Sequence, residues 1–233
     1  MPQTSEINIG VIKQIARALG DLNNRVVYVG GAVVGLYIDD PAAGEVRPTK
    51  DIDISLEITT LGQLENLRQE LAGKRFTQSA EDAVMCRFRY DGIPVDVMAT
   101  EEIGWAPANR WFRPGFKHLQ TLELEPGLTV RILSVAYFLA AKFEAYNHRG
   151  ANDPRTSKDF EDIVYILDNH TSLINEITSA PNDVKEFLTK QFNELLSDKM
   201  EEAVLGHLDP FTQSERFELL SGKLKSITEV HLR

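Results

Sequence analysis

The sequence has 233 residues, of which 42% are apolar and 26% are charged, and its formal net charge is −10. Such ordinary fractions exclude a disordered or collagen-like chain. The acidic balance argues against a protein that coats nucleic acid with its whole surface, because such proteins are usually basic. A local basic patch that contacts one end of an RNA is compatible with this charge.

The sequence carries no sign of a membrane-spanning or secretory segment. No apolar run approaches the roughly 20 residues that cross a bilayer, and the N-terminal stretch MPQTSEINIG lacks a basic start followed by an apolar run. The single cysteine, Cys86, cannot form an internal disulfide, and its alternating surroundings predict a small packing residue. We therefore expect a reduced, cytoplasmic protein without a membrane partner.

Hydrophobic periodicity predicts a first half of mixed helices and strands. The predicted elements, in chain order, are a helix over residues 6–20, a buried strand over 25–29, a turn at Gly30-Gly31, an apolar helix over 32–38, a loop over 39–49, a strand over 51–58, a helix over 60–72, strands over 84–90 and 93–99, and a hairpin over 119–132. Asp91-Gly92 is a strong signal for a two-residue hairpin turn. Pro94 predicts that its strand lies at a sheet edge or begins there.

From about Leu133 the pattern is helical to the end of the chain. The predicted helices cover residues 133–147, 156–169, 171–179, 183–197 and 211–228. The sequence therefore predicts an α+β protein with two domains. The first, residues 1–130, holds a mixed β-sheet, and the second, residues 131–233, is all-helical.

Three acidic residues of the first half form a candidate metal site. Asp51 and Asp53 lie in a strictly alternating strand, so both carboxylates face the same side. Two such carboxylates repel each other unless a cation intervenes, and oxygen ligands on a rigid element suit Mg²⁺. Asp96 lies on a later strand, where a hairpin partner could set it beside the pair. The alternative for all three is a solvated strand face.

Gly30-Gly31 stands between a strand and a helix. Glycines let a backbone approach a phosphate, and the helix start offers free N–H groups and the positive end of a dipole. The alternative is a tight strand-to-helix turn. Lys50 and Arg47, close to the acidic pair, are candidate phosphate contacts or else ordinary solvated loop charges.

These elements resemble the nucleotidyltransferase superfamily that includes DNA polymerase β and the antibiotic-adenylating enzymes. The family pattern is Gly-Gly or Gly-Ser, a short helix, Asp-x-Asp on the next strand and a third acidic residue on a later strand. The resemblance covers residues 25–98 and implies a nucleotidyltransferase fold. The stretch 32–50 is longer than the usual family spacing, and the extra loop could reshape the nucleotide pocket. The residues implied to act are Asp51, Asp53 and Asp96 as catalytic groups and metal ligands, and Gly30, Gly31 and Lys50 as nucleotide-binding groups.

The helical half adds a second set of motifs. Lys142 lies on an otherwise apolar helix, Arg149-Gly150 follows the end of that helix, and Ser157 is a good N-cap for the next one. The next helix carries Lys158-Asp159 and Asp162, and its two aspartates share one face. The alternative for each charged residue is a plain surface charge, with Asp159 placed to favour the helix dipole.

This order of motifs resembles the AbiEii/AbiGii-type nucleotidyltransferases, which are toxins of bacterial abortive-infection and toxin–antitoxin systems. With this block the resemblance covers residues 25–169. It implies that Lys142 contacts the triphosphate, that Asp159 supports the active site or activates the acceptor, and that Arg149 helps to bind the nucleotide. In that family the helical half completes the catalytic cleft.

The resemblance implies that an acceptor hydroxyl attacks the α-phosphorus of a nucleoside triphosphate and that pyrophosphate leaves. Mg²⁺ is the implied cofactor, with Mn²⁺ as an alternative. RNA, such as the acceptor end of a tRNA, is the implied acceptor, with a protein as its alternative, and an antitoxin protein is an implied partner. A basic–aromatic segment is the candidate RNA contact, with coverage of a core as its alternative. It contains Trp105, Arg110, Trp111, Phe112, Arg113, Lys117 and His118.

Two other functions compete with the RNA-directed toxin. A small-molecule nucleotidyltransferase, such as an enzyme that modifies an aminoglycoside or a lincosamide, fits the acidic charge, because that charge attracts a cationic antibiotic. The last hypothesis is a non-catalytic nucleotide-binding protein of the same fold, which the presence of all three carboxylates disfavours.

Overall fold

The structure of the protein, a computed structural model, describes residues 3–149 and 153–230. The chain folds into two compact units. Unit 1 consists of Met1–Gly35 and Glu45–Ser134, and unit 2 consists of Leu36–Gly44 and Val135–Arg233.

Six strands, three α-helices and two 3₁₀ helices form the regular structure of residues 3–134. In chain order the elements are α1 (Gln3–Leu19), a 3₁₀ helix (Gly20–Arg25), β1 (Val27–Val29), a second 3₁₀ helix (Gly31–Tyr37), β2 (Ile52–Leu56), α2 (Leu61–Gly73), β3 (Arg87–Tyr90), β4 (Ile93–Ala99), α3 (Phe112–Gly115), β5 (Leu119–Glu125) and β6 (Leu128–Leu133).

The strands form one mixed sheet in the order β3-β4-β2-β1-β6-β5. β2 pairs with β4 in parallel and with β1 in antiparallel register, and β1 pairs with β6 in parallel. β3–β4 and β5–β6 are the two predicted hairpins. β4 is therefore an inner strand, and Pro94 lies near its beginning, one residue before the ladder with β2 starts at Val95.

Apolar spacing explains how α1 packs in unit 1. Ile12, Ile15, Ala16 and Leu19 recur at helical intervals and are all buried. Ile7, which the same pattern includes, is 60% exposed. The amphipathic helix is thus confirmed, but its apolar contact begins a turn later than the sequence predicts.

Several predicted elements of unit 1 differ in their bounds or type. Arg25 ends a 3₁₀ helix instead of starting β1, and the apolar helix that follows Gly30 is 3₁₀ and not α. β2 begins at Ile52, one residue after Asp51, and Ser55 is fully buried, so the predicted wet face of this strand ends at Asp53.

Unit 2 is built from helices. They are α4 (Val135–His148), α5 (Lys158–Asn169), α6 (Leu173–Thr178), α7 (Asn182–Leu195), α8 (Asp198–Leu205) and α9 (Gln213–Val230). The sequence predicts all of these except the short helix α8. Ser157 caps α5 as predicted, because its side chain accepts a hydrogen bond from the Phe160 backbone N–H at 3.3 Å.

Helix α4 forms the centre of unit 2, where it packs against α5, α6 and α7. Every residue from Val135 to Phe143 is buried, so all faces of this part of the helix are covered. Phe143 meets Phe192 of α7 edge to face, with the ring centroids 6.1 Å apart. In the part of the chain that the structure describes, no helix combines the length and apolar character needed to cross a membrane.

The segment Leu36–Gly44, which includes the first part of the predicted loop 39–49, belongs to unit 2. His170 Nδ1 donates a hydrogen bond to the Tyr37 carbonyl oxygen at 2.5 Å. The Thr171 backbone N–H and hydroxyl donate to the carboxylate of Asp39 at 2.6 and 2.9 Å. These bonds tie Leu36–Gly44 to the helical unit, although the segment lies far from those helices in sequence.

Candidate active site

The sheet register of unit 1 brings the acidic residues into one row. Asp53 on β2 is the register partner of Asp96 on β4, and on its other side it partners Val29 on β1. Adjacent strands lie about 4.8 Å apart, so Asp53 and Asp96 are immediate neighbours on one face. Asp51 lies two residues before Asp53 and on the same side. The parallel β2–β4 ladder, and not the hairpin partner, thus sets Asp96 beside the pair.

Gly30 follows Val29 and lies against the carboxylate of Asp53. Its φ of +72° is a left-handed conformation that favours glycine. A Cβ at this position would stand 1.8 Å from Asp53 Oδ2, which no side chain could tolerate. At the neighbouring Gly31, a Cβ would stand 2.7 Å from Arg47 Nη2. Both glycines therefore allow polar side chains to approach the backbone, while their contact with phosphate stays a prediction.

Arg87 is the residue of this site that sequence reasoning missed. Its Nε donates to Asp96 Oδ1 and its Nη2 to Asp96 Oδ2, both at 2.7 Å. The same Nη2 donates to Asp51 Oδ2 at 3.1 Å. Hydrogen bonding to Asp96 raises the pKa of Arg87 well above its usual value, so its positive charge is permanent. One guanidinium therefore bridges two of the three predicted catalytic carboxylates.

A local signal in the sequence would have found this pair. In a hairpin with a two-residue turn at Asp91-Gly92, the register is fixed by the turn itself. Counting outward from that turn places Arg87 directly opposite Asp96, and the structure has this register. Opposite charges in such a cross-strand position attract each other.

The arrangement of these carboxylates bears on whether they fit the Mg²⁺ that the family resemblance implies. Carboxylate oxygens are the donors that Mg²⁺ prefers, but both oxygens of Asp96 and one of Asp51 already accept N–H groups from Arg87. Within residues 3–149 and 153–230, no group of three or more His, Cys, Asp or Glu side chains is placed to hold a metal ion. As arranged, the three carboxylates do not fit a shared metal site, and their role as ligands stays a prediction.

The two basic residues near the acidic pair have different environments. The side chain of Lys50 is exposed, whereas Arg47 is half-buried and its guanidinium lies close to Gly31. The backbone around them is held in place, because Thr49 Oγ1 donates to the Asp51 carbonyl oxygen at 3.0 Å. The predicted nucleotide contact of Lys50 is not tested by these distances.

Unit 2 contains the second predicted cluster, in which Lys142 is buried between two aspartates. Its Nζ lies 3.0 Å from Asp159 Oδ1 and 2.7 Å from Asp162 Oδ2. Arg149 Nη1 donates to the other oxygen of Asp159 at 3.0 Å. Gly150, the second residue of the Arg-Gly motif, lies outside the described residues. The shared helix face of Asp159 and Asp162 is confirmed, because both carboxylates contact the same ammonium group.

The charge state of Lys142 follows from its partners. Burial disfavours its ammonium form, but the attraction of Asp162 and Asp159 outweighs burial and raises the pKa of Lys142 above its usual value. Lys142 is only 7% exposed. Its ammonium therefore neutralises aspartates of unit 2 in this structure, and its predicted contact with a triphosphate stays a prediction.

The basic–aromatic segment covers part of the core of unit 1. Trp111 and Phe112 are buried, whereas Arg110 lies over the Trp111 ring with its Cζ 5.0 Å from the ring centroid. Arg113 is exposed and pairs with Glu101. The alternative of core coverage thus accounts for the two buried aromatic residues, and the exposed basic groups remain the candidate RNA contact.

Cys86 precedes Arg87 and is buried, as predicted for a packing residue. Burial, with a smaller contribution from the negative charge of Asp96, raises the pKa of its thiol to about 11. The thiol is therefore protonated at neutral pH, which makes it a poor nucleophile.

The close approach at Gly30 predicts a specific loss of stability in Gly30→Ala. Gly127 has a similar φ of +80°, but a Cβ added there would meet no atom within 4 Å, so Gly127→Ala is the matched control. An alanine with a left-handed backbone conformation should lower the free energy of unfolding by roughly 1–2 kcal/mol in both variants. The collision with Asp53 should lower it by about 1–3 kcal/mol more in Gly30→Ala alone. Denaturant unfolding measures both, and equal losses would contradict the geometry.

The buried cluster of unit 2 predicts that Lys142→Met is strongly destabilising. Removing the ammonium leaves two like charges buried together, which should lower the free energy of unfolding by about 3–5 kcal/mol. Lys190, an exposed lysine of α7, supplies the control Lys190→Met, for which we expect a change within about 0.5 kcal/mol. If the two variants have the same free energy of unfolding, the pairing of Lys142 with the two aspartates does not stabilise the fold.

Comparison with known proteins agrees with the mixed sheet and the helical second half. Among solved structures, that of an antigenic nucleotidyltransferase-like protein from Paracoccidioides brasiliensis is similar, with a TM-score of 0.52 and 18% identity over 88% of this chain and 94% of that chain. At this identity the likeness shows the fold alone. No functionally curated protein gives a significant match.

The family comparison extends over both units. The model of the family described as "Nucleotidyl transferase AbiEii toxin, Type IV TA system" matches residues 17–220. This range includes the glycine turn, the acidic row and the helical block with Lys142 and Asp159. A match over most of the chain establishes the family: this protein belongs to the AbiEii nucleotidyltransferase toxins of type IV toxin–antitoxin systems.

Proposed function

We propose that this enzyme transfers a nucleoside monophosphate from a nucleoside triphosphate to an acceptor hydroxyl, with unit 1 supplying the reaction centre. The observation that supports this best is the register of Asp53 and Asp96 on adjacent parallel strands, with Gly30 against the Asp53 carboxylate. Nucleotidyl transfer depends mainly on positioning and on stabilisation of charge. A rigid central sheet suits this task, because it fixes the acidic groups relative to one another.

The reaction follows from the chemistry of the triphosphate. The acceptor hydroxyl attacks the α-phosphorus, a new ester bond to oxygen forms, the bond to the pyrophosphate oxygen breaks, and the hydroxyl proton is released. We propose that Asp51, Asp53 and Asp96 support this step and that it requires Mg²⁺, for which Mn²⁺ can substitute. When bound, a divalent cation neutralises phosphate charge and favours loss of the hydroxyl proton.

The chain offers basic groups for the phosphates and the acceptor. We propose that Gly30, Gly31 and Lys50 contact the nucleotide, since the exposed ammonium of Lys50 is close in sequence to the acidic strand. Membership of the toxin family supports catalytic roles for Lys142 and Asp159 and nucleotide binding by Lys142 and Arg149, which stay predictions here. An antitoxin partner and a cytoplasmic site of action are part of the same proposal.

RNA is the acceptor that we propose, with the 3′ end of a tRNA as the leading candidate. The net charge of −10 opposes nonspecific binding of RNA, so contact should rest on a small basic surface. Arg110, Arg113 and Lys117 are close in sequence, which makes them the candidate contact. The same acidic charge favours a cationic small molecule as the second candidate acceptor.

The double variant Asp51→Asn with Asp53→Asn tests the reaction centre. Removing both negative charges with little change in shape should lower nucleotide transfer by a factor on the order of 100 or more. The assay measures label from each α-labelled nucleoside triphosphate, with Mg²⁺, on total bacterial RNA, on the protein itself and on an aminoglycoside.

The matched control is Asp91→Asn, which makes the same chemical change at the exposed hairpin turn. The φ of Asp91 is +46°, a conformation that asparagine also adopts readily. Transfer at the wild-type rate by the double variant would refute the assignment of the centre. If label appears on the aminoglycoside or on the protein itself and none appears on RNA, the acceptor is a small molecule or a protein and not RNA.

A further inference from the structure

Arg87 holds the acidic row in a way that the predicted chemistry does not explain. Its side chain is 21% exposed, and it makes a bidentate pair with Asp96, whose side chain is 12% exposed. The third hydrogen bond, to Asp51, reaches a carboxylate that is 39% exposed. Bidentate pairs between guanidinium and carboxylate are among the strongest hydrogen-bonded pairs in proteins. The pair therefore persists unless a competing cation replaces it.

A divalent cation and Arg87 compete for the same oxygens. Each of the two carboxylate oxygens of Asp96 accepts an N–H group from the guanidinium, so a cation on either oxygen would lie beside Arg87. Electrostatic repulsion would also oppose a dication placed next to a permanent positive charge. While this guanidinium stays in place, a metal ion should therefore bind Asp96 only weakly in the arrangement described.

We propose that Arg87 is a resident counter-ion of the acidic row: its guanidinium holds Asp51 and Asp96 together in the free protein and weakens the binding of a divalent cation at Asp96 until it moves away. This inference rests on the proposed function, which assigns these carboxylates to the metal. Arg87 is a positioning residue in this account, because it acts through the carboxylates.

A consequence concerns the order in which metal and nucleotide bind. The displaced guanidinium needs a new anionic partner, and the triphosphate supplies one, because arginine binds phosphate oxygens in the same forked geometry as carboxylates. The free protein should therefore hold divalent metal weakly, and the metal should arrive together with the nucleoside triphosphate. Exchange of one anionic partner for another keeps the charge of Arg87 compensated at each stage.

Binding of Mn²⁺ to the nucleotide-free protein tests this inference without any measurement of activity. The Arg87→Gln variant keeps a hydrogen-bond donor to Asp96 but loses the competing charge. Free and bound Mn²⁺ can be distinguished by electron paramagnetic resonance. We expect Arg87→Gln to bind Mn²⁺ about tenfold more tightly than the wild-type protein, as loss of one charged hydrogen-bonded competitor predicts.

Arg89 provides the matched control on the same strand. It lies two residues from Arg87 on β3 and makes an equivalent bidentate pair with Asp82, at 2.9 and 2.5 Å. Arg89→Gln therefore removes the same charge and the same kind of pair without freeing Asp96. We expect its Mn²⁺ affinity to stay within about twofold of the wild type, because Arg89 pairs with Asp82 and makes no hydrogen bond to Asp96 or Asp51 among those of the described residues.

The wild-type protein supplies a measurement that does not depend on the folding of a variant. The Nε–H signal of Arg87 in a nitrogen-15 spectrum reports its bond to Asp96, and saturating Mg²⁺ with a non-hydrolysable nucleoside triphosphate should shift that signal. An unshifted signal while metal and nucleotide bind would overturn the inference. So would an affinity for Mn²⁺ in Arg87→Gln that is equal to or weaker than that of the wild type.

Failure of this inference and failure of the proposed function give different results. If label transfer is lost in the Asp51/Asp53 double variant but Arg87→Gln leaves Mn²⁺ binding unchanged, the reaction centre stands and Arg87 is only structural. If neither the wild type nor Arg87→Gln binds Mn²⁺, with or without nucleotide, both the inference and the proposed metal requirement are wrong.

Discussion

The parallel register of β2 and β4 is the constraint on which the candidate site depends. It aligns Asp53 with Asp96, while the antiparallel partner β1 brings Gly30 up to the Asp53 carboxylate. A shift of one residue in that register would turn Asp96 to the other face of the sheet. The buried side chains around it, including Ile52, Ile54 and Val97, fix the register because they must stay in the core.

In both units, one basic side chain offsets the repulsion between two neighbouring carboxylates. In unit 1 the guanidinium of Arg87 lies between Asp51 and Asp96, and in unit 2 the ammonium of Lys142 lies between two aspartates. Paired carboxylates in partly buried positions would otherwise repel each other and lose hydration. A basic side chain between them therefore lets two carboxylates lie close together in each unit. The basic residue differs between the units. Arginine can form two parallel hydrogen bonds with one carboxylate, whereas lysine acts as a point charge.

Local features of the sequence were sufficient to predict most elements of the fold. The alternation after Asp51 predicts β2, Asp91-Gly92 predicts the β3–β4 hairpin, and Ser157 predicts the start of α5, because each signal acts over a few residues. Features that depend on distant parts of the chain were not predictable in this way. The pairing of β2 with β4 joins strands separated by a helix, and the attachment of Leu36–Gly44 to unit 2 depends on hydrogen bonds from residues around His170. The stretch 32–50, which is longer than the usual family spacing, thus contains the segment Leu36–Gly44 that packs within unit 2.

The same distinction separates the predicted from the missed parts of the site. Asp-x-Asp and the glycine turn are contiguous motifs, whereas the burial of Lys142 results from tertiary packing of α4 against α5. Arg87 lies between these cases, since the hairpin turn fixes its register but its second bond, to Asp51, also requires the long-range ladder.

The central claim is that the acidic row in the sheet of unit 1 performs nucleotidyl transfer. Asp96 tests this claim most directly, because the β2–β4 ladder is what places it next to Asp53. The measurement is the rate at which purified Asp96→Asn transfers α-labelled nucleotide to its acceptor, with the free energy of unfolding measured on the same sample. The account predicts a folded protein whose transfer rate falls by a factor on the order of 100 or more. A folded Asp96→Asn variant that transfers label at the wild-type rate would contradict it.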